Sequence, residues 1–309
     1  MPSNSVRGSI EFEFVERYAQ HVSQMSNGRV EITPFGAEEL VPLPEQLQTV
    51  GKGTIEMAFD DPGYWFSDSK GLAVLQQWPF AFTSLEANMA FCYQTDYWDL
   101  VSDWYRSQNV ELLSFTFCSW TNAWYTKFPV SSLEDLKGHK IRCLGLNGEV
   151  LQEATGVPAP YITGGELYGA LERNVVDGAI FGYHTFAFDW GLAEVTDYIV
   201  EPAISPCYGE IYVNLDEWNG LPDDVKQILI DAGVEAERWL YTSNALSDNV
   251  VKARMIDEYG MEVQTLPAED VALLAAASIR VLDRYAAEDA TFAQGADILK
   301  EIMAQQGLL

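Results

Sequence analysis

Phe14, Val15, Tyr18, Ala19, Val22 and Met25 recur at three- and four-residue intervals, which predicts an amphipathic helix that Asn27-Gly28 ends. Residues 29–32 then alternate polar and apolar side chains, as a short strand does. A second helix is predicted over residues 44–50, stopped by Gly51 and Gly53, and residues 55–59 read as a buried strand. Asp60-Asp61-Pro62-Gly63 is turn chemistry leading into Tyr64-Trp65. A long aromatic-rich helix is expected over residues 84–107. Strand alternating with helix argues for an α/β lobe.

From 110 to 126 the chain is extended and rich in Phe, Trp and Thr. That is longer than an average strand, as expected where one strand crosses between lobes. A second α/β unit follows: a strand over 140–144, a helix over 147–155 capped by Gly156, a helix over 165–173 ended by Asn174, a strand over 175–181 and a helix near 186–196. Residues 210–214 return as a strand. Asn219-Gly220-Leu221-Pro222-Asp223-Asp224 then opens a helix, with proline near its start and acids in its first turn, that the pattern carries as far as Tyr259. A strand over 261–266 precedes a helical remainder. There are no internal repeats or low-complexity tracts.

With 309 residues, 48% hydrophobic and 13% aromatic, the chain can build two folded domains with substantial cores. Its 46 acids against 18 Lys plus Arg give a formal charge of −28, which makes nucleic acid and anionic membrane surfaces poor partners. That acidity reads as a highly soluble or salt-adapted surface. No apolar run approaches the roughly 18 residues that span a bilayer; the longest, Val271 to Ala277, is far shorter. Met1 to Gly8 shows no hydrophobic signal region. The alternatives are removed export information, a start assigned inside the gene, or a protein that stays inside the cell. Cys92, Cys118, Cys143 and Cys207 are scattered and read as free buried thiols; a Cys118–Cys143 bridge would need their strands to be neighbours.

His21, His139 and His184 lie far apart with no metal-binding spacing. Gly51-Lys52-Gly53-Thr54 lacks the order that wraps phosphate and reads as a helix-ending turn. No serine elbow, dinucleotide fingerprint or Cys/His nucleophile signature occurs. Acidic pairs such as Glu38-Glu39 and Asp60-Asp61 are better read as solvated surface in so acidic a chain. Arg142 stands out. It lies in the apolar stretch Lys140-Ile141-Arg142-Cys143-Leu144, where a guanidinium entering the interior needs an anion to offset its desolvation. A ligand carboxylate would meet its planar fork with two hydrogen bonds. The plainer alternative is an internal salt bridge to one of the many acids.

The stretch Leu133-Glu134-Asp135-Leu136-Lys137-Gly138-His139-Lys140-Ile141-Arg142, followed by Gly145-Leu146-Asn147-Gly148-Glu149-Val150-Leu151, closely resembles the segment that carries the ligand-carboxylate arginine in the extracytoplasmic solute-binding subunits of TRAP transporters. Gly28-Arg29-Val30-Glu31-Ile32, Gly53-Thr54-Ile55-Glu56-Met57-Ala58, Trp78-Pro79-Phe80-Ala81-Phe82, and Gly164-Gly165-Glu166-Leu167 through Val175-Val176-Asp177-Gly178 extend the likeness over nearly the whole chain. Tyr64-Trp65 and Gly148-Glu149-Val150-Leu151 resemble the α-keto acid binding subclass. By position, the resemblance implies that Arg142 clamps the ligand carboxylate and that Tyr64 donates a phenolic hydrogen bond. Thr121 stands where a glutamine touches ligand and cation, with Asn122 beside it as a substitute, and Phe181 stands where a tryptophan lines the pocket. The subclass also binds a monovalent cation through carboxylates, whose places here are taken by Ile180 and Ile204. Aliphatic side chains cannot hold a hard cation, so binding without metal or other cofactor is expected, with a ligand other than a small α-keto acid. Trp65, Trp120, Trp124, Phe181, Tyr183, His184 and Tyr208 are candidates to line the cleft, some of them being ordinary core and hinge packing. Such a lining favours a carboxylate with an apolar or aromatic body.

The resemblance implies an α/β, two-lobe periplasmic-binding-protein fold with a long helix across both lobes. The expected first lobe takes residues 1–119 with 209–245, the second 120–208 with 246–275, and residues 276–309 form C-terminal helices packed on the lobes. The implied function is capture of an organic-acid anion outside the cytoplasm, in the periplasm, and delivery to the membrane subunits of a TRAP transporter, with no reaction catalysed. Family members carry a signal peptide and then a strand central to the first sheet. Here Met1–Ile10 stands in that place, so an inner strand is expected to be missing unless residues 4–10 supply it; a misassigned start is the preferred explanation. An enzyme acting on organic acids would use Arg142 as anchor and an acid such as Glu166 as base, although Glu166 is explained by the first turn of a helix. A ligand-sensing module would need an anchor or a fused signalling domain.

Overall fold

Ser9 decides where the first helix begins. Its backbone is extended (φ −76°, ψ 161°) and its hydroxyl accepts the Phe12 amide, so α1 runs Ile10–Met25, a turn earlier than its apolar stripe predicts. The computed structural model describes residues 1–65, 72–119 and 122–309, Ser119 by its backbone alone. In chain order α1 is followed by α2 (Gln46–Gly51), β1 (Met57–Asp60), α3 (Leu85–Gln94), α4 (Tyr97–Ser107), β2 (Val110–Ser119), β3 (Trp124–Thr126) and β4 (Ile141–Arg142). Then come α5 (Gly145–Thr155), α6 (Gly164–Glu172), β5 (Gly178–Ile180), α7 (His184–Asp189), β6 (Tyr198–Glu201), β7 (Cys207–Asn214) and α8 (Leu215–Gly220). The chain finishes with α9 (Asp223–Tyr259), β8 (Glu262–Thr265), α10 (Ala268–Glu288) and α11 (Ala290–Gln305).

The chain divides into two units. One comprises Met1–Lys70, Asp99–Cys118 and Tyr208–Leu246; the other comprises Gly71–Trp98, Ser119–Cys207 and Ser247–Leu309. Residues 71–98 therefore group with the second unit and not with the rest of the first 119 residues. Their contacts explain it: Ser278 donates to the Pro79 carbonyl at 2.6 Å, Trp78 packs edge-on against Phe292, and the Phe80 amide bonds the Ile204 carbonyl at 3.0 Å.

The first unit holds a sheet in the order β1-β7-β2. Strand β7 is buried along its whole length and pairs antiparallel with β1, placing Asp60 opposite Glu210. The start of the chain lies along β1: Ser3 bridges Phe59, Pro2 bridges Phe35, and the Phe59 and Phe35 amides donate to the Pro2 and Met1 carbonyls at 3.0 Å. A strand over 4–10 does not form, because Ser9 caps a helix instead. Nor do residues 29–32 join a ladder; the Val30 amide turns back to the Ser26 hydroxyl at 3.1 Å.

Helix α9 has 37 residues, about 55 Å at 1.5 Å per residue. Its buried row of Val225, Leu229, Ala232, Ala236, Leu240 and Asn244 keeps the three- and four-residue spacing of a packed helix face. Gly233 faces Ser114 of β2, and a Cβ there would stand 3.5 Å from the Ser114 hydroxyl, an ordinary van der Waals contact. One turn on, Glu237 accepts the Phe117 amide at 3.4 Å, and burial pushes its carboxyl up to about 7.

In the second unit the sheet order is β4-β5-β3-β6-β8. Trp124 of β3 lies opposite Ile180 on one side and Val200 on the other, both antiparallel, while β4 joins β5 in parallel. One face of this sheet carries an apolar cluster that includes Trp124, Ile141, Cys143, Leu151, Ile180 and Ile204. The extended run 110–126 thus breaks into two strands in different sheets. The helix expected over 84–107 also breaks, at Thr95, whose hydroxyl donates to the Phe91 carbonyl (2.7 Å) and accepts the Tyr97 amide (3.2 Å). All four cysteines are buried thiols, with Cys118 and Cys143 in or beside strands of different sheets, so the bridge between them does not form. Among the described residues no helix is long and apolar enough to cross a membrane.

Candidate functional site

Arg142 is 1% exposed at the end of β4, paired in register with Ala179 of β5. Strand alternation puts its neighbours Ile141 and Cys143 on the opposite, apolar face and places Arg142 on the same face as Phe181, two residues beyond Ala179. The guanidinium carbon lies 5.1 Å from the Phe181 ring centre. Nε donates to the Ile162 carbonyl at 2.8 Å and Nη1 to the Ile180 carbonyl at 3.3 Å. These bonds orient the side chain through neutral acceptors. On the other face, burial pushes the Cys143 thiol up to about 12 despite the nearby Arg142 charge.

Phe181 is itself held. Phe186 stacks on it with ring centres 5.0 Å apart, and Trp190 meets it edge-on at 5.8 Å. Gly182 makes this packing possible: its φ is +50°, and a Cβ there would come within 2.4 Å of the Phe186 ring. Gly182→Ala combines left-handed strain with overpacking and is expected to destabilise by about 2–4 kcal/mol, read as a fall in denaturation midpoint; an unchanged midpoint would contradict this packing.

Asn122 is 8% exposed, and its amide is engaged with the protein itself. Nδ2 donates to the Ser205 hydroxyl (3.1 Å) and the Pro206 carbonyl (2.8 Å), while Oδ1 accepts the Gly182 amide (2.9 Å). The side chain expected to face a ligand thus serves three protein partners. His184, also buried, shares a 3.0 Å hydrogen bond through Nδ1 with the Tyr125 hydroxyl. Burial lowers its pKa, partly offset by Asp248, which accepts the Thr185 amide at 2.8 Å. Tyr183 is fully buried against Phe186. Glu166, the base that an enzyme would need, sits in the first turn of α6 and accepts the Thr163 hydroxyl at 3.2 Å.

In the first unit Tyr64 closes the turn Pro62–Tyr64, in which the Asp61 side chain accepts the Gly63 amide at 2.7 Å. Trp65 is 2% exposed and stacks on Trp104 at 5.7 Å, with Tyr105 edge-on, which makes it a packing residue of this unit. Tyr208 is equally buried against Phe115 and Phe117. Asp60 and Glu210, read from sequence as surface or strand residues, are fully buried and face one another. The Tyr105 hydroxyl donates to Glu210 and the Tyr212 hydroxyl to Asp60 (3.4 Å); burial holds the Asp60 carboxyl well above the usual carboxylate range.

Of the eleven candidate residues, Trp120 and Thr121 lie outside the described residues, and the other nine, Trp124 included, are buried, none more than 8% exposed. Strands β3, β4 and β5 bring Asn122, Arg142 and Phe181 together, with Tyr183 and His184 following at the start of α7. Tyr64, Trp65 and Tyr208 belong to the first unit. Sequence reasoning missed a recess of about 50 Å³ in the second unit lined by Phe80, Phe82, Ala203, Ile204, Ser205 and Pro206. Phe80 has a left-handed backbone (φ 58°) there, unusual for a bulky residue and not visible in composition or spacing.

The family model for bacterial extracellular solute-binding protein, family 7 (DctP), matches residues 3–289, and the chain belongs to that family. It is 30% identical over 286 residues to a monocarboxylate 2-oxoacid-binding periplasmic protein of Nostoc sp., covering 90% of this chain and 76% of that one. The fold matches a TRAP transporter solute-binding protein of Bordetella bronchiseptica, with calcium and picolinate at its active site, at a TM-score of 0.90 and 20% identity, over 99% of this chain and 91% of that one. A TRAP periplasmic solute-binding protein of Pseudoalteromonas atlantica, with bound sodium and pyruvate, matches at 0.89 and 22% identity, over 98% and 93%. The architecture is therefore the two-lobe periplasmic-binding fold, and the family is one of extracytoplasmic solute receptors.

The cation in those structures can be tested against this chain's side chains. Ile180 and Ile204 are each 1% exposed and pack in one apolar cluster, offering no side-chain oxygen. Among the described residues no group of three or more His, Cys, Asp or Glu side chains is disposed to hold a metal. The two positions that the resemblance assigns to cation ligands thus carry no side-chain donor.

Proposed function

We propose that this protein captures an organic-acid anion in the periplasm and delivers it to the membrane subunits of a TRAP-type transporter, itself catalysing no reaction. The observation that carries the reading is the buried guanidinium of Arg142, held by the Ile162 and Ile180 carbonyls against the Phe181 ring in a chain of the solute-receptor family. Two charge-assisted bonds to a carboxylate would contribute about 1.5–3 kcal/mol each. Phe181 with its supports Phe186 and Trp190 supplies an apolar surface, where burial adds about 25 cal/mol per Å².

The ligand class follows from the same residues: a carboxylate with an apolar or aromatic body, bound without metal. The Nostoc relative's 2-oxoacid ligand supports the carboxylate, and Ile180 and Ile204 support the absence of a cation. A thermal-shift screen of mono- and dicarboxylates, aromatic acids included, tests the function, since a ligand of the folded state raises the midpoint by mass action. No shift with any carboxylate would sink it. Affinity is expected to be unchanged in sodium-free, chelated buffer; strong loss there would mean that other oxygens hold a cation.

A further inference from the structure

We infer that Asn122 is a positioning residue for the carboxylate site, acting through Gly182 and Phe181 on Arg142. The inference rests on the carboxylate-binding reading above and assigns this residue a different part in it from direct contact with ligand. A side-chain amide has two N–H donors and an oxygen with two lone pairs. Here both donors are taken, by Ser205 Oγ and the Pro206 carbonyl, and the oxygen accepts the Gly182 amide. The partners also fix which way the amide points, because Pro206 offers only an acceptor and Gly182 only a donor.

The main chain repeats the connection. The Asn122 amide donates to the Ser205 carbonyl (2.8 Å), the Ile204 amide to the Asn122 carbonyl (3.1 Å), and the Ala123 amide to the Gly182 carbonyl (2.9 Å). Strand β5 ends at Ile180, and Gly182 turns left-handed immediately afterwards, so its amide leaves the ladder and is received by Asn122. The two residues just before Gly182 supply two of the three supports of Arg142, Ile180 by its carbonyl and Phe181 by its ring, beside the Ile162 carbonyl. Moving Gly182 displaces both supports at once. No other side chain reproduces this set. Aspartate keeps the acceptor for Gly182 but loses both donors, and alanine loses all three bonds.

Asn122→Ala, Asn122→Asp and Phe181→Leu, singly and with Asn122→Ala combined with Phe181→Leu, are titrated with phenylacetate and benzoate. Through positioning, Asn122→Ala weakens binding by about 10-fold and Asn122→Asp by less, and the double variant is no worse than the weaker single one, since both act on one support. A direct contact to an anionic ligand gives the reverse order, because the aspartate charge repels it, together with additive losses; either result overturns the inference, as does unchanged affinity in Asn122→Ala. Amide hydrogen exchange at Gly182 needs no ligand: protection is expected in the wild type and Asn122→Asp and lost in Asn122→Ala, and equal exchange in all three also overturns it. Failure of the wild type to bind either acid, with Gly182 protection behaving as expected, counts against the carboxylate reading alone.

Discussion

Arg142→Ala is expected to abolish the thermal shift that a carboxylate ligand produces in the wild type. Losing two charge-assisted bonds of about 1.5–3 kcal/mol each lowers affinity by roughly 10²–10⁴-fold, enough to take a micromolar ligand out of a usual screen. Arg142→Lys keeps the charge but not the planar fork, and should fall between the two. The fold needs the guanidinium less than the ligand does. Arg142→Met fills similar volume with apolar atoms, and replacing a buried ion in this way is often neutral or stabilising. A variant with a normal midpoint and no ligand response is the expected outcome for Arg142→Met. Wild-type affinity in that variant would remove Arg142 from the site.

Glu237→Gln should change how stability depends on pH. The folded-state value near 7 stands above the ordinary 4.5, because burial against β2 disfavours the carboxylate. Between those values the folded chain keeps a proton that the unfolded chain has released. The stabilisation is therefore complete below about pH 4.5, declines as pH rises and is gone above about 7. Glutamine keeps an oxygen for the Phe117 amide and cannot ionise. The variant should match the wild type at pH 4 and exceed it by about 2–3 kcal/mol at pH 8, a difference read from denaturant midpoints at each pH. Parallel pH profiles would show that Glu237 is solvated in the folded state. Asp60, raised for the same reason, adds a slope of the same sign that Glu237→Gln leaves in place.

Where one physical signal dominated, the sequence was legible. The periodic stripe of α1, the glycine ending α5 (Gly156, φ 72°) and the proline and acids opening α9 all lie where their chemistry predicts. Local competition was harder to read. The aromatic run over 84–107 looked continuous because the break depends on one threonine hydroxyl choosing backbone partners at Thr95. Strand β6 was missed because Tyr198–Glu201 is short and follows a turn without a distinct alternation. Buried polar pairs were least visible: Asp60 faces Glu210, and His184 meets Tyr125, only because distant strands and helices align. Arg142 became a candidate through the likeness of its segment to a family, because a cation in an apolar stretch is by itself equally well read as half of an internal salt bridge. Asn122 was found for its place beside Thr121, but its hydrogen-bond partners lie some sixty and eighty residues downstream and leave no trace in local spacing.

Helix α9 and the segments on either side of it bear on how the molecule is made. Each unit is assembled from three separate stretches, and α9 contributes its earlier turns to one and its later turns to the other. During synthesis the first unit cannot complete its core until Leu246 has left the ribosome, and the second waits for the C-terminal helices. Many of the contacts that complete each unit are thus distant in sequence, which slows folding and leaves apolar strands uncovered meanwhile. In an extracytoplasmic family such a delay is an asset to any member that crosses the membrane unfolded, because a chain slow to fold is easier to keep threadable.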